Sequence, residues 1–381
     1  MRLPGLARLR RLITWIVLAA PLAAVAAEAP LPDGLYAEFT TPRGTFVAEL
    51  HYREAPMTVA HFVGLAEGSL GPNRPAPYYT GLQWYRVVPG FVIQSGNPAH
   101  PRDTNPGPTF PDEMTFGLRH GEAGVLSMAN LGPDTNAAEF FVTLGDCTRL
   151  DFLHSVFGRT VRGREVLPRI EPGDALNLRI LRVGAMARAF PADAAAFQAL
   201  VARAGRYRGE TEPGPSAHFD DPQHLIPPEP PRARNFNFKL ANLERFTGLR
   251  IAARLMAKSP SAAEDAQPGA YMRALAERLG VARRGALAVY FADEDDWRVW
   301  IGDESTAAFL GRTPSAADLS EGAAFHEAKE AFLQAARAAG DARFATEQKA
   351  APPDQPPPAG QRLKLQTDAM LDGLIRKLSQ P

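Results

Sequence analysis

The sequence predicts a mainly β protein followed by a smaller α/β domain, and three observations carry that reading. Between residues 35 and 188, short strand-like runs alternate with turns rich in Gly, Pro and Asn, and helical patterns are few. Residues 205–234 then become polar and proline-rich, ending in EPGPSAHFDDPQHLIPPEPPRAR, which reads as a linker. Beyond it, residues 235–345 offer a strand, a helix, a hairpin and a second helix, the order of a small α/β unit. Many short strands with few helices point to a closed or sandwich-like architecture for the first part.

The elements follow in order. YAEFTTPRGTFVAELHY, residues 36–52, alternates apolar and polar residues on both sides of a Pro-Arg-Gly turn, which predicts a β-hairpin. In residues 55–68, Val59, Phe62, Val63 and Leu65 fall at helical spacing and Gly68 stops the run. WYRVV, FVIQSG, GVLSMA, EFFVTL, SVFGRTV and NLRILRVG supply further strands. In the second part TGLRIAARLMA reads as a strand and AYMRALAERLG as a helix ending at Gly280. ALAVYFADEDDWRVWIG reads as two strands around an acidic, solvated turn, and FHEAKEAFLQAARAAG as a helix ended by Gly340. Residues 351–381 hold a proline-rich spacer and an amphipathic helix. That helix, with Met370, Leu371, Leu374, Ile375 and Leu378 on one face, is expected to pack back on its own domain.

The first 27 residues read as a targeting segment. Arg2, Arg8, Arg10 and Arg11 precede a short apolar run from Leu12 to Val25, and Ala24-Val25-Ala26 supplies a small-residue cleavage pattern. The run is short for a bilayer and is broken by Pro21, so the expectation is a secreted, periplasmic protein with no stable membrane span after cleavage. Lys plus Arg equals Asp plus Glu at 42 each, which removes any global field that would recruit nucleic acid. Cys147 is the single cysteine, so no intrachain disulfide exists; a buried, inert thiol is expected. The sequence carries no sign of an oligomeric state.

One stretch raises a chemical question. YRVVPGFVIQSGNP, residues 85–98, is dominated by apolar residues, yet Arg86 heads it and Gln94 stands near its end. Arginine is rarely buried without a partner. Either Arg86 sits on a surface strand beside a carboxylate, or Arg86 and Gln94 present polar groups to a ligand from a pocket floor.

Read together, YRVVPGFVIQSG, GVLSMANLGPDTNAAEFFVTL and LDFLHSVFG resemble the cyclophilin family of peptidyl-prolyl isomerases, over about residues 35–186 and not over the C-terminal half. The resemblance implies an eight-stranded antiparallel barrel capped by two helices, over residues 55–68 and 165–170, with a proline-binding groove on its outer face. It implies catalysis of X-Pro rotation with no cofactor and no metal. Amide resonance imposes a barrier of roughly 18–20 kcal/mol on that rotation. A catalyst must favour the twisted amide, whose proline nitrogen has regained a lone pair, and a permanently charged donor such as arginine suits that atom. By resemblance Arg86 is this donor, and Phe91, Val92, Phe141 and Leu150 form the cup for the proline ring. Gln94 binds substrate backbone, Ala129 and Asn130 form the groove rim, and His154 its far wall. The partners implied are proline-containing segments of exported proteins.

The chain departs from the family at three positions. Arg149 stands where cyclosporin-sensitive members carry tryptophan, which argues against tight cyclosporin binding. Glu139 replaces a common glutamine and puts a carboxylate beside the groove, within reach of Arg86 or Arg149. Val92 replaces a longer methionine. In the second part, residues 242–312 loosely resemble TPM domains, and no site residues are transferred from them. HFDDPQH, residues 218–224, holds two histidines and two aspartates but lacks a regular scaffold for a metal. Two other functions stand beside the isomerase: a proline-peptide chaperone with little turnover, and a main activity, perhaps hydrolytic, in the C-terminal domain.

Overall fold

Cross-strand pairing of apolar residues starts the fold. In β1 (Gly34–Thr41) and β2 (Gly44–Leu50), Leu35, Ala37 and Phe39 stand opposite Leu50, Ala48 and Phe46, all buried, and the Phe39 and Phe46 rings stack at 4.5 Å. This computed structural model describes residues 29–72, 74–98, 108–204, 217–227, 232–320 and 322–379. The targeting segment expected over residues 1–27 lies outside them.

The helix α1 (Pro56–Glu67) follows, with proline in its first turn and Gly68 in a left-handed cap at φ 78°. Its N-terminus is capped from a distance: Glu113 accepts from the Met57 and Thr58 backbone N–H groups at 3.0 and 2.7 Å. The remaining strands are β3 (Leu82–Gln83), β4 (Arg86–Val88), β5 (Val92–Ser95), β6 (Val125–Met128), β7 (Phe140–Thr143), β8 (Val156–Arg162) and β9 (Ala175–Val183). They form one antiparallel sheet in the order β3-β9-β1-β2-β8-β6-β7-β5-β4. β3 and β4 terminate opposite ends of this sheet, yet only Trp84 and Tyr85 separate them in sequence. The sheet must therefore curl until its ends meet, and the nine strands are eight with one broken in two. The second cap is a 3-10 helix, Arg164–Arg169, containing Pro168. Two helices absent from the sequence reading, α2 (Gly184–Ala189) and α3 (Ala194–Arg203), continue from β9, and Phe197 of α3 joins the barrel core.

The second part is built on a four-stranded sheet. Its elements are β10 (Phe219–Asp220), α4 (Arg232–Thr247), β11 (Ile251–Met256), α5 (Ala270–Arg278), β12 (Ala286–Phe291) and β13 (Asp296–Ile301). β10, β11 and β12 are parallel and β13 returns antiparallel. The segments α6 (Thr306–Leu310), α7 (Ala324–Ala350) and α8 (Gln361–Leu378) complete it. Ile251, Ala253 and Leu255 face α4, α7 and α8, while Ala252 faces Met272 and Leu275 of α5, so helices cover both sides of the sheet.

Two sequence expectations are corrected here. Residues 205–234 are not simply a linker, because Phe219 and Asp220 pair with Ala253 and Arg254 and α4 starts at Arg232. Within HFDDPQH, His218 contacts Glu244 at 2.6 Å and Asp221 accepts from the Leu225 and Ile226 backbones, so these groups hold the local chain. Gly340 does not end its helix: α7 runs on to Ala350. A Cβ at Gly340 would lie 2.5 Å from the Gln366 Cα, so this glycine permits close packing of α7 on α8. The helix α8 packs on its own domain, with Met370, Leu371, Leu374 and Ile375 in one core with α4 and β11.

The two parts touch through α4 and α8. Phe152 of the first part belongs to the core of the second. From α4, Asn242 donates to the Phe152 carbonyl at 2.9 Å and to Asp112 at 3.2 Å, and Arg245 reaches Asp134 at 3.1 Å. Lys239 donates to the Arg149 carbonyl at 3.2 Å and forms a buried ion pair with Asp372 of α8. Burial pushes the Asp372 carboxyl up against the pull of Lys239.

Two consequences are measurable. Removing one member of the Lys239–Asp372 pair leaves a buried charge without its partner, so Lys239→Ala should cost about 3–5 kcal/mol in urea unfolding. The double variant Lys239→Met/Asp372→Leu should recover most of that loss, and a single variant as stable as wild type would refute the account. The second consequence concerns His61, whose buried ring lies 4.5 Å from Phe110 and 5.0 Å from Phe197 and whose pKa burial pulls down to about 3. The unfolded chain takes up this proton below about pH 6.5 and the folded one does not, so stability falls as pH drops from there towards 3. At pH 5 the His61 contribution to the loss is about 2 kcal/mol, and His61→Phe should flatten the stability–pH curve by that amount.

Candidate active site

Strand register assembles the site. Arg86 of β4 stands opposite Gln94 of β5, Gln94 opposite Phe141 of β7, and Phe141 opposite Ser127 of β6. These four residues form one row across four strands and share a face. The alternating neighbours Ile93, Val142 and Leu126 are buried in the barrel core. The row therefore lies on the outer face of the barrel, as the resemblance implied.

Gln94 is the centre of a polar chain. Its Nε2 donates to Glu139 at 2.9 Å and to the Tyr85 hydroxyl at 2.6 Å, and its Oε1 accepts from the Arg86 guanidinium at 3.2 Å. An anionic Glu139 has no proton to give, so it takes the amide N–H and turns Oε1 towards Arg86. Glu139 thus reaches the arginine through Gln94. Burial and the Glu139 charge push the Tyr85 hydroxyl up, which keeps it protonated.

An apolar cluster separate from the barrel core lies beside this chain. It comprises Val92, Ala129, Phe141 and Cys147, with Phe91 and Leu150 packed against it. Arg149 lies over the Phe91 ring at 4.2 Å and Arg86 over the same ring at 5.7 Å. Within the cluster Cys147 is buried, its thiol 3.4 Å from the Phe91 carbonyl, and burial raises it to about 11, so it stays a thiol.

His154 meets the Phe141 ring edge-on at 5.4 Å, and its Nδ1 donates to the Met128 carbonyl at 2.9 Å. Burial, with the neighbouring His120, pulls it down to about 3; it is neutral, and with Nδ1 protonated its Nε2 is an acceptor. His120 stacks on Phe141 at 5.9 Å and is itself held by Asp151 at 2.8 Å and Ser127 at 2.9 Å. Asn130 donates to the Leu153 carbonyl at 2.8 Å.

All nine residues singled out from the sequence are thus brought together. Arg86, Phe91, Leu150 and His154 line a cleft of about 740 Å³, and Asn130 and His154 line a neighbouring one of about 180 Å³. The sequence reading missed Tyr85, His120 and Asp151, which orient the residues it named. It also missed the far side of both clefts, where Asn235 of α4 faces His154. Among the described residues no group of three or more His, Cys, Asp or Glu is arranged to hold a metal ion.

Known proteins resemble the first part of this chain. The model of the family described as cyclophilin type peptidyl-prolyl cis-trans isomerase/CLD matches residues 36–184. The peptidyl-prolyl cis-trans isomerase CYP18-2 of Arabidopsis thaliana is 37% identical over 144 residues, covering 36% of this chain and 83% of the relative. The peptidyl-prolyl cis-trans isomerase ppi1 of Schizosaccharomyces pombe is 40% identical over 139 residues, covering 35% and 83%. A solved Cryptosporidium parvum cyclophilin type isomerase aligns at 24% identity with a TM-score of 0.32, covering 37% of this chain and 96% of that one. With an outer-face groove built on Arg86 and relatives matched over most of their own length, the chain belongs to the cyclophilin-type peptidyl-prolyl cis-trans isomerases.

Proposed function

We propose that this isomerase works outside the cytoplasm, in the periplasm of a Gram-negative cell, and assists the folding of exported proteins by turning over their X-Pro bonds at Arg86. The observation that carries the site assignment is the Arg86 guanidinium, tethered by Gln94 beside the separate apolar cluster of Phe91, Val92, Phe141 and Leu150. The cluster supplies a cup for the proline ring. Arg86 donates to the proline nitrogen as the amide twists and its lone pair localises, an interaction stronger in the transition state than in either planar isomer. Gln94 Oε1 retains a second lone pair for a substrate N–H. No proton changes hands, which suits a site whose histidine is neutral and whose arginine is permanently charged.

Export is supported by the basic residues before Leu12 and by Ala24-Val25-Ala26. Among the described residues no helix is long and apolar enough to cross a membrane. The folding role follows from the pairing of isomerase chemistry with export, since X-Pro isomerisation takes about 10–100 s unassisted.

Two measurements test these assignments. In cis-to-trans isomerisation of an Ala-Pro tetrapeptide, Arg86→Ala should lower kcat/KM by about 100-fold or more while the protein stays folded; a variant within a factor of two of wild type rejects Arg86 as the donor. For export, the N-terminus of the chain recovered from whole cells should begin just after residue 26 or 27 in the extracytoplasmic fraction. An intact Met1 on cytoplasmic protein would reject the export reading.

A further inference from the structure

We propose that the C-terminal domain is the second wall of the substrate cleft and selects extended proline segments that carry acidic residues beside the proline; this rests on the groove at Arg86 being the isomerase site. The 740 Å³ cleft has the cup and Arg86 on one side, and Phe236 of α4, Arg343 and Glu347 of α7, and Leu365 of α8 on the other. A peptide whose proline sits in the cup continues between the two walls, because an extended chain advances about 3.3 Å per residue. The far wall is held in place by the buried Lys239–Asp372 pair and by Asn242 on the Phe152 carbonyl.

Charge decides what this passage accepts. Five cationic side chains line it, Arg86, Arg149, Lys239, Arg343 and Lys364, against three carboxylates, Asp146, Glu347 and Asp368. Lys239 is engaged by Asp372 and Lys364 by Asp368. Glu347 accepts from Gln361 at 2.6 Å, and Asp146 accepts from the Thr148 backbone at 2.9 Å. Arg149 and Arg343 come from opposite walls, and among the described residues neither forms an ion pair with a carboxylate. Burial pushes Asp146 up, but the Thr148 hydrogen bonds and the charges of Arg343 and Arg376 outweigh it and hold the carboxyl below its ordinary range; with five cations against three carboxylates the lining as a whole is net positive. A glutamate or aspartate a few residues from the proline meets those two guanidinium groups, whereas a lysine is repelled by them.

The test uses the full mature chain and two peptides of about ten residues with the same central Ala-Pro, flanked on both sides by Glu in one and by Lys in the other. Exchange spectroscopy measures kcat/KM for each. The Glu-flanked peptide should be turned over about threefold to tenfold more efficiently at low ionic strength, with the ratio collapsing at about 0.5 M salt. Arg343 is exposed, and Arg343→Glu, checked for an unchanged thermal midpoint, should abolish or reverse the ratio. Equal Arg86-dependent turnover of both peptides, or a ratio unmoved by Arg343→Glu, overturns the charge selection while leaving the isomerase site standing. Absence of any acceleration that depends on Arg86 overturns the reading of the groove and the selection with it.

Discussion

The Trp84-Tyr85 break between the two ends of the barrel sheet is the constraint on which the site depends. Trp84 is fully buried, its ring 6.2 Å from Phe39 and Phe46 and 5.7 Å from Phe140, so it draws the sheet ends together from inside. Strict alternation would send Tyr85 outward and Arg86 inward again. The break cancels that alternation: both Tyr85 and Arg86 reach Gln94 on the outer face. An irregular pair of residues at the closure of a barrel thereby sets a cation on its exterior without putting a charge in its core.

The orientation of one amide then follows from charge. Had glutamine stood at position 139, either end of Gln94 would find a partner there, and Oε1 would have no compelling direction. A carboxylate at Glu139 accepts only, so the Gln94 N–H groups turn to it and to Tyr85 and the oxygen turns to Arg86. The departure at Glu139, expected to bring a carboxylate within reach of Arg86, instead acts on the arginine through Gln94 and is part of what tethers it.

How much of this was readable in the sequence depends on whether a residue's partners are local. The hairpin of β1 and β2, α1, and the strands carrying Arg86, Gln94 and Phe141 follow from period-two alternation and from motifs a few residues long. The helix α4 did not announce itself. Its Asn237, Lys239 and Asn242 are polar and read as solvated, yet all three are buried, because their partners are the Phe219 strand and the loop of Arg149 and Phe152, tens of residues away. Gly340 misled in the opposite sense. A glycine after a helical run resembles a stop, and only the Gln366 backbone beside it shows that it is a place of contact. HFDD gave a polar, proline-flanked signal that hid a two-residue strand whose stability comes from β11. The candidate site was legible on one wall only, since the other is assembled from segments with no local signature.

That second wall has a physical bearing on the first. Phe152, between Leu150 and His154, adopts a left-handed backbone with φ 61°, which costs an ordinary side chain about 1–3 kcal/mol. Without the C-terminal domain its ring would lose the core that buries it and its carbonyl the Asn242 donor. Here the ring is buried in the C-terminal core, Arg119 lies over it at 4.6 Å, and Asn242 holds the carbonyl. Burying one phenylalanine is worth roughly 1.5–3 kcal/mol, comparable to the strain it offsets. The loop that places Leu150 against the cup and His154 against Phe141 is thus stabilised by residues of the C-terminal domain. The groove and its second wall are one structure energetically, and the shape of the candidate site is not a property of the barrel alone.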